Sequence, residues 1–160
     1  MHPTRHDLPE ATRAKVVKLL NERLADNIDL QLSAKQAHWN VKGPSFFELH
    51  LLFDKVAESA QEFGDEIAER ITALGGVAEG TSTVVAQRSN LPDYPLDIAR
   101  GRDHVNAMAD TLATMAKAVR AAIDQSTELG DADTADLFTE ISRGVDKHLW
   151  FVEAHVQAEW

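Results

Sequence analysis

The spacing of apolar residues constrains the fold of this chain most strongly. Four long stretches place apolar side chains at steps of three and four residues, which is the period of an α-helix. No stretch shows the sustained alternation of apolar and polar residues that is typical of a half-buried strand. The connections between the four stretches are short, long and short. The sequence therefore predicts an all-α bundle of four helices, with one long crossover between the second and the third.

The predicted helices run from about residue 8 to 38, from 46 to 74, from 101 to 127 and from about 132 onward. In the first helix, the predicted apolar stripe comprises Val17, Leu20, Leu24, Ile28 and Leu32.

Residues with strong positional preferences mark the helix ends. Ser45 and Glu48 have the spacing of a capping box, so we expect Ser45 to cap the second helix. The Gly75–Gly76 pair predicts the end of that helix, because glycine readily adopts the left-handed conformation that terminates helices. At the start of the fourth helix, the predicted cap is Asp131 or Asp133.

Residues 77–100 form the long crossover and include Gly80, Pro92 and Pro95. Within it, the segment Tyr94–Ile98 is predicted to form a brief helical turn. One long crossover in a four-helix bundle is the wiring of ferritin-like folds, so the sequence predicts that fold.

The composition narrows the class of protein. A chain of 160 residues fits one domain, and we expect 1–160 to form it, with a short flexible tail at about 1–8. The absence of cysteine excludes disulfides and thiolate metal sites. Neither a signal peptide nor a membrane-spanning segment is visible, so a cytoplasmic location is expected. The net charge of -10 favours cations over nucleic acid as partners.

Five residues with metal-binding side chains lie on or next to one face of the second helix. His50, Asp54, Asp65 and Glu69 fall within about 100° of one another on a helical wheel, opposite the apolar seam. His38 joins them from the end of the first helix. Imidazole and carboxylate together suit iron, and they would also bind zinc or manganese. The alternative interpretation is an ordinary solvated face, which the carboxylates alone fit equally well.

Distances along the helix separate these residues into two groups. Asp54 and Asp65 are eleven positions apart, or about 16 Å along the helix axis. Two metal ions that share ligands lie only about 3.5–4 Å apart. His50 and Asp54 therefore cannot share a two-metal site with Asp65 and Glu69 of the same chain. Because the four positions are symmetric about the midpoint between residues 59 and 60, a second copy packed antiparallel on this face would complete two identical sites.

Several segments resemble the signature of the Dps family of small ferritins, from about residue 10 to the end of the chain. They are Lys35-Gln36-Ala37-His38-Trp39-Asn40-Val41-Lys42-Gly43-Pro44, Leu49-His50-Leu51-Leu52-Phe53-Asp54, Asp65-Glu66-Ile67-Ala68-Glu69-Arg70, Tyr94–Ile98, Asp133–Leu137 and Asp146–Trp150.

The resemblance implies a ferroxidase that assembles into a hollow dodecameric shell, a homo-oligomer of this chain. His38, His50 and Asp54 of one subunit would bind two iron ions together with Asp65 and Glu69 of its two-fold mate. Family members oxidise ferrous iron with hydrogen peroxide, or sometimes with dioxygen, and store ferric mineral inside the shell. Because one peroxide accepts electrons from a pair of ferrous ions, no hydroxyl radical is released, which protects against oxidative damage.

The same resemblance suggests roles for three further residues. Trp39 resembles a family tryptophan that absorbs stray oxidising equivalents, and an aromatic anchor in a subunit interface is the alternative. Asp131 and Asp136 resemble residues that line three-fold pores, where rings of carboxylates concentrate cations. Favourable charge near a helix N-terminus is the alternative for this acidic cluster, which also contains Glu128 and Asp133. The other histidines, His104, His148 and His155, match no ligand position and are expected to be structural or surface residues.

A protein that compacts DNA is the alternative function. Family members that do so commonly use lysine-rich flexible tails. Residues 1–9 contain one arginine, Arg5, with His2 and His6 partly charged and Asp7 opposing them. No basic tail is expected after the last helix, since the sequence reaches Trp160 directly. Binding to the phosphate backbone needs several cationic contacts, so DNA is a disfavoured partner. The protein is expected to associate with the nucleoid only if it binds DNA.

Overall fold

The computed structural model describes residues 1–158, which contain five α-helices. They are α1 (Glu10–Asn40), α2 (Phe46–Ala73), α3 (Ser82–Arg88), α4 (Gly101–Glu128) and α5 (Ala132–Glu153). In this part of the chain, the only strand-like pairing is an isolated bridge between Lys42 and Arg100. The predicted all-α class and its four long helices are confirmed.

The four long helices form a bundle in which each packs against two neighbours. α1 packs against α2 and α4, and α5 packs against the same two helices from the other side. Short links make antiparallel pairs of α1 with α2 and of α4 with α5. α2 and α5 are also antiparallel, because Arg70 near the end of α2 contacts Asp131 before α5, whereas Ser59 contacts His148 farther along. The short α3 packs on α1. This is the predicted ferritin-like wiring.

The hydrophobic core lies between the long helices and draws its largest side chains from all four. Leu20, Phe53, Met108 and Phe138 are each fully buried. Interiors of this kind are packed closely, so truncating one such aromatic ring to alanine costs about 3–5 kcal/mol.

The predicted apolar stripe of α1 is wrong at its end, where Leu32 is 56% exposed. Each step of four residues turns about 40° around the helix axis, so a stripe continued in such steps from Leu24 leaves the core. The buried positions continue instead through Leu30, Ala34 and Ala37. Leu32 thus belongs to an exposed face of α1.

The helix ends confirm two of the predicted signals and contradict a third. Gly75 ends α2 with a φ of 84°, which is the left-handed conformation expected of it. Asp131 caps α5, since its carboxylate accepts from the Thr134 backbone N–H at 3.1 Å. The capping box of Ser45 does not form, and its side chain makes no cap hydrogen bond. Its φ of -97° and ψ of 26° depart from the extended conformation that directs a capping side chain toward the helix.

The crossover contains a helix, but not at the predicted place. Residues 94–98 form no helical turn. Pro95 lacks a backbone N–H and disfavours helical geometry at Tyr94, which explains the error. The crossover helix is α3, Ser82–Arg88, whose seven residues are too few for a reliable periodic pattern.

Buried polar side chains of α1 hold the crossover in place. The Asn21 amide donates to the Val77 carbonyl and accepts from the Glu79 backbone N–H. Asp26 is fully buried and accepts from the backbone N–H of Asn90 at 2.8 Å. These contacts satisfy backbone groups that would otherwise lie unpaired beside the bundle.

The N-terminal segment contacts the end of α2, where the His2 backbone N–H donates to the Gly75 carbonyl at 2.6 Å. The flexibility predicted for residues 1–8 stays a prediction, and Trp160 lies outside the described residues. Within residues 1–158, every helix is too short or too polar to cross a bilayer.

Candidate metal centre

Two histidines meet where α1 ends and α2 begins. The rings of His38 and His50 are stacked, with their centroids 3.7 Å apart. Nδ1 of His38 lies 2.7 Å from the carbonyl oxygen of His50, and Nδ1 of His50 lies 2.8 Å from the carbonyl oxygen of His38. A carbonyl oxygen can only accept, so each Nδ1 carries the hydrogen and donates it. Both Nε2 atoms are therefore left with lone pairs for a metal ion, and both rings are fixed in orientation.

Asp54 lies one helical turn after His50 and next to this histidine pair. One of its oxygens is 3.9 Å from Nδ1 of His38 and accepts a 2.6 Å hydrogen bond from the Lys35 ammonium. The hydrogen bond from Lys35 lowers the pKa of Asp54 below its ordinary value, and the charge of Lys35 acts in the same direction against the effect of burial. Asp54 is thus held ionised, as a metal-binding carboxylate must be.

Lys35 is a residue of the site to which the sequence analysis gave no role. Its ammonium occupies an oxygen of Asp54, so a cation that binds there must displace Lys35 or use the other oxygen. The signal that could have found it is its position three residues before His38, on the same face of α1.

Asp65 and Glu69, the other two candidate ligands, lie on the same face of α2 but remote from the histidines. Both are exposed, and neither side chain forms a hydrogen bond or an ion pair with the described part of the chain. Among residues 1–158, no three histidine, aspartate or glutamate side chains lie close enough together to hold a metal ion. His38, His50 and Asp54 therefore do not form a three-ligand site within one chain, and the sharing of the five candidate ligands between two subunits stays a prediction.

Large apolar side chains are exposed beside the candidate ligands. Phe47 and Leu51 are 63% and 44% exposed, and they lie within about 60° of Asp54 and Asp65 around α2. Trp39 and Leu32 on α1 are also exposed. Exposed apolar groups collected on one face are typical of a surface that another protein covers.

Trp39 itself is 64% exposed, and the Lys35 ammonium lies 6.0 Å from its ring centroid. Trp39 directly follows His38, so it lies next to the candidate site. Both roles suggested for it, a radical sink and an interface anchor, fit this position.

The two predicted pore residues have different environments. Asp131 is buried, and its oxygens accept from the Arg70 guanidinium at 2.7 Å and from the Thr134 hydroxyl at 2.6 Å. These partners and the helix cap occupy its carboxylate and give Asp131 a structural role within the chain, and its role in a pore stays a prediction. Asp136 is exposed in a shallow depression between α4 and α5, and its role in a pore also stays a prediction.

The three remaining histidines beyond residue 100 have partners of their own. Nε2 of His148 lies 2.9 Å from the Ser59 hydroxyl, which joins α5 to α2, and burial lowers the pKa of His148. His155 is exposed and donates to the Phe151 carbonyl oxygen. His104 is buried next to Tyr94. None of the three lies with the candidate ligands.

Comparisons with known proteins extend these observations. The ferritin-like domain family matches residues 17–159. The DNA protection during starvation protein of Agrobacterium fabrum is 47% identical over 98% of this chain and 96% of its own length. Dps from Mycobacterium smegmatis superposes with a TM-score of 0.93 at 29% identity, covering 98% of this chain and 95% of that one.

A Dps protein of Vibrio cholerae, described as a member of a broad superfamily of ferritin-like diiron-carboxylate proteins, has a TM-score of 0.90 at 25% identity. The superposition covers 98% of this chain and 98% of the Vibrio cholerae protein. The motifs, the bundle wiring and these likenesses agree, and the chain belongs to the Dps family of ferritin-like proteins.

Proposed function

We propose that this protein oxidises ferrous iron at sites shared by two subunits and stores the ferric product inside a hollow dodecameric shell. The observation that carries the proposal is the reciprocal pairing of His38 and His50, which leaves both Nε2 atoms free beside the ionised Asp54. Membership of a family that includes diiron-carboxylate proteins supports iron as the substrate. Zinc and manganese suit the same donors and would compete for them.

The division of the ligands supports the shared site. His38, His50 and Asp54 provide nitrogen donors and one carboxylate at one end of α2, whereas Asp65 and Glu69 provide two carboxylates about 16 Å away on the same face. A two-fold axis through this face brings the two groups together and covers the exposed Phe47 and Leu51. Hard carboxylate oxygens favour ferric over ferrous iron, which assists the oxidation.

The residues of this chain have separate roles in the proposed reaction. The two imidazoles and three carboxylates bind a pair of ferrous ions, and hydrogen peroxide accepts one electron from each. Cleavage of the peroxide bond then gives water or hydroxide in place of hydroxyl radical. Lys35 holds Asp54 in position before iron binds and lowers the local negative charge. Dioxygen is the alternative oxidant.

Replacing a ligand histidine should slow iron oxidation without affecting the fold. The protein is mixed anaerobically with ferrous iron, then with peroxide or air in separate experiments, and ferric absorbance is followed. We expect His50→Ala to lower the initial rate by at least about tenfold, the lower bound for disturbing a metal ligand set. The matched control is His155→Ala, an exposed histidine outside the site, which should oxidise iron at the wild-type rate. Equal rates for His50→Ala and wild type would count against the proposed site.

Binding to DNA is a second candidate function, because a relative 47% identical is named for DNA protection. The net charge of -10 opposes it, and residues 1–9 provide only Arg5 as a permanent cation. At pH near 8, where His2 and His6 are neutral, we expect no retardation of plasmid DNA in a gel at physiological salt. A robust, salt-resistant shift under these conditions would establish DNA binding and move iron oxidation to second place.

A further inference from the structure

Tyr94 and His104 form a buried pair that the proposed iron chemistry does not use. The Tyr94 hydroxyl oxygen lies 2.9 Å from Nδ1 of His104, joining the crossover to α4. His104 is 1% exposed, and the ring of Phe53 packs against it with a centroid distance of 6.3 Å. Phe53 directly precedes the candidate ligand Asp54 on α2. The pair is thus connected by packing to the helix that carries the candidate metal ligands.

The surroundings place the shared proton on the tyrosine. Burial raises the pKa of Tyr94 above its ordinary value, so the phenol is neutral and keeps its hydrogen. Burial lowers the pKa of His104, against an opposing effect of the Ile98 carbonyl group and the Asp103 charge, so the imidazole is neutral as well. Within residues 1–158, Nε2 makes no hydrogen bond, and the hydrogen bond of the pair joins the Tyr94 hydroxyl to Nδ1 of His104. Nδ1 is therefore the acceptor of the tyrosine O–H.

We propose that Tyr94 and His104 are a redox-active pair, in which Tyr94 gives one electron to a strong one-electron oxidant while its proton passes to His104. The electron leaves the phenol, the O–H bond breaks, and the N–H bond forms at Nδ1. The products are a neutral phenoxyl radical and an imidazolium ion. Hydroxyl radical, the oxidant that a single ferrous ion generates from peroxide, becomes hydroxide when it takes this electron. The inference relies on the proposed function only for that source of oxidant.

The geometry favours rapid return of the pair to its resting state. The imidazolium is buried, its Nε2 has no acceptor of standard geometry, and the charge of Lys42 disfavours it further. Asp103 is the nearby charge that stabilises it. A ferrous ion can supply the missing electron and become ferric, and the proton then moves back from Nδ1 to the phenoxyl oxygen. Tyr94 thus consumes one strong oxidant in each cycle and is regenerated.

The composition makes the proposal testable without iron, because Tyr94 is the only tyrosine of the chain. Azide radical, produced by pulse radiolysis, oxidises tryptophan side chains and becomes azide. We expect the indolyl radical then to take an electron from Tyr94 and a proton from solvent, at a rate independent of protein concentration. The phenol proton moves to His104, so the transfer should be slower in D2O. Phenoxyl that fails to form, or forms at equal rates in both solvents, would overturn the proposal.

Variants separate the two members of the pair. Tyr94→Phe should abolish the phenoxyl signal, and His104→Leu should slow its formation about a hundredfold, the lower end of the contribution of a positioned proton acceptor. His155→Gln, at an exposed histidine, is the control and should match wild type. Circular dichroism checks that His104→Leu is folded, and His104→Gln, whose amide oxygen is a weaker base than imidazole, replaces it if it is not. Formation at the wild-type rate in folded His104→Leu would refute the role of His104.

An experiment with iron relates the pair to the proposed function. Protein containing ring-deuterated tyrosine is mixed with ferrous iron and excess peroxide, frozen rapidly and examined by electron paramagnetic resonance. We expect a radical signal that narrows on deuteration and is absent in Tyr94→Phe. Iron oxidation at the normal rate with no such signal would remove the inference and leave the proposed function intact. If the protein fails to oxidise iron but still forms phenoxyl after reaction with azide radical, the proposed function is wrong and the inference about the pair stands.

Discussion

Shells assembled from two inactive variants should recover ferroxidase activity. One variant carries Asp54→Asn, and the other carries Asp65→Asn together with Glu69→Gln. Each alone should oxidise iron at least about tenfold more slowly than wild type, because every site lacks a ligand. At a mixed two-fold interface, one site combines both defects, while its twin receives intact ligands from each chain. Random co-assembly at equal amounts should thus restore roughly a quarter of the sites, and obligate mixed pairing about half.

The matched control mixes Asp54→Asn with His50→Ala, which lies in the same half-site. Every chain then has a defective histidine end, so no arrangement of subunits produces an intact site and no recovery is expected. Light scattering should show particles much larger than a dimer in every mixture. Verified mixed shells without recovery would contradict the shared site, and a monomer at neutral pH would contradict the shell as well.

Replacing Asp131 should destabilise the protein strongly, whereas replacing Asp136 should not. Asp131→Ala removes the cap of α5 and leaves the Arg70 guanidinium without its 2.7 Å partner. Breaking a buried ion pair on one side costs about 3–5 kcal/mol. Asp136→Ala, at an exposed position five residues later, should change the free energy of unfolding by no more than about 0.5 kcal/mol. Urea unfolding at a fixed protein concentration measures both, since assembly adds to stability.

The same two variants distinguish a structural carboxylate from one that lines a pore. Slower iron uptake in Asp136→Ala, with unchanged stability, is the result expected of a pore residue. Equal stability of the two variants would show that Asp131 is not the anchor that its contacts with Arg70 and Thr134 indicate.

The long helices were predictable because their signals are local and repeated. The third predicted helix, 101–127, matches α4 at Gly101–Glu128, and the glycine expected to end α2 does so. A periodic apolar stripe of this length has few alternatives, and glycine tolerates the left-handed conformation better than other residues. The separation of the candidate ligands into two groups along α2 was also predictable, since the rise of an α-helix converts sequence spacing into distance, whereas their sharing between two subunits stays a prediction.

Short or single-residue features were predicted less well. The seven residues of α3 span only about two turns, and the capping box of Ser45 depends on a backbone conformation that the link before α2 does not adopt. Leu32 was misassigned because a stripe extended in steps of four rotates away from the core.

The sequence by itself determined the helical class, the long crossover and the face that carries His50, Asp54, Asp65 and Glu69. Only the tertiary structure decided which polar groups are partners: His38 with His50, Lys35 with Asp54, and Tyr94 with His104. The reason is physical. Helical periodicity is a property of neighbouring residues, whereas a hydrogen bond between helices depends on how two separate elements rotate and slide against each other when the core packs.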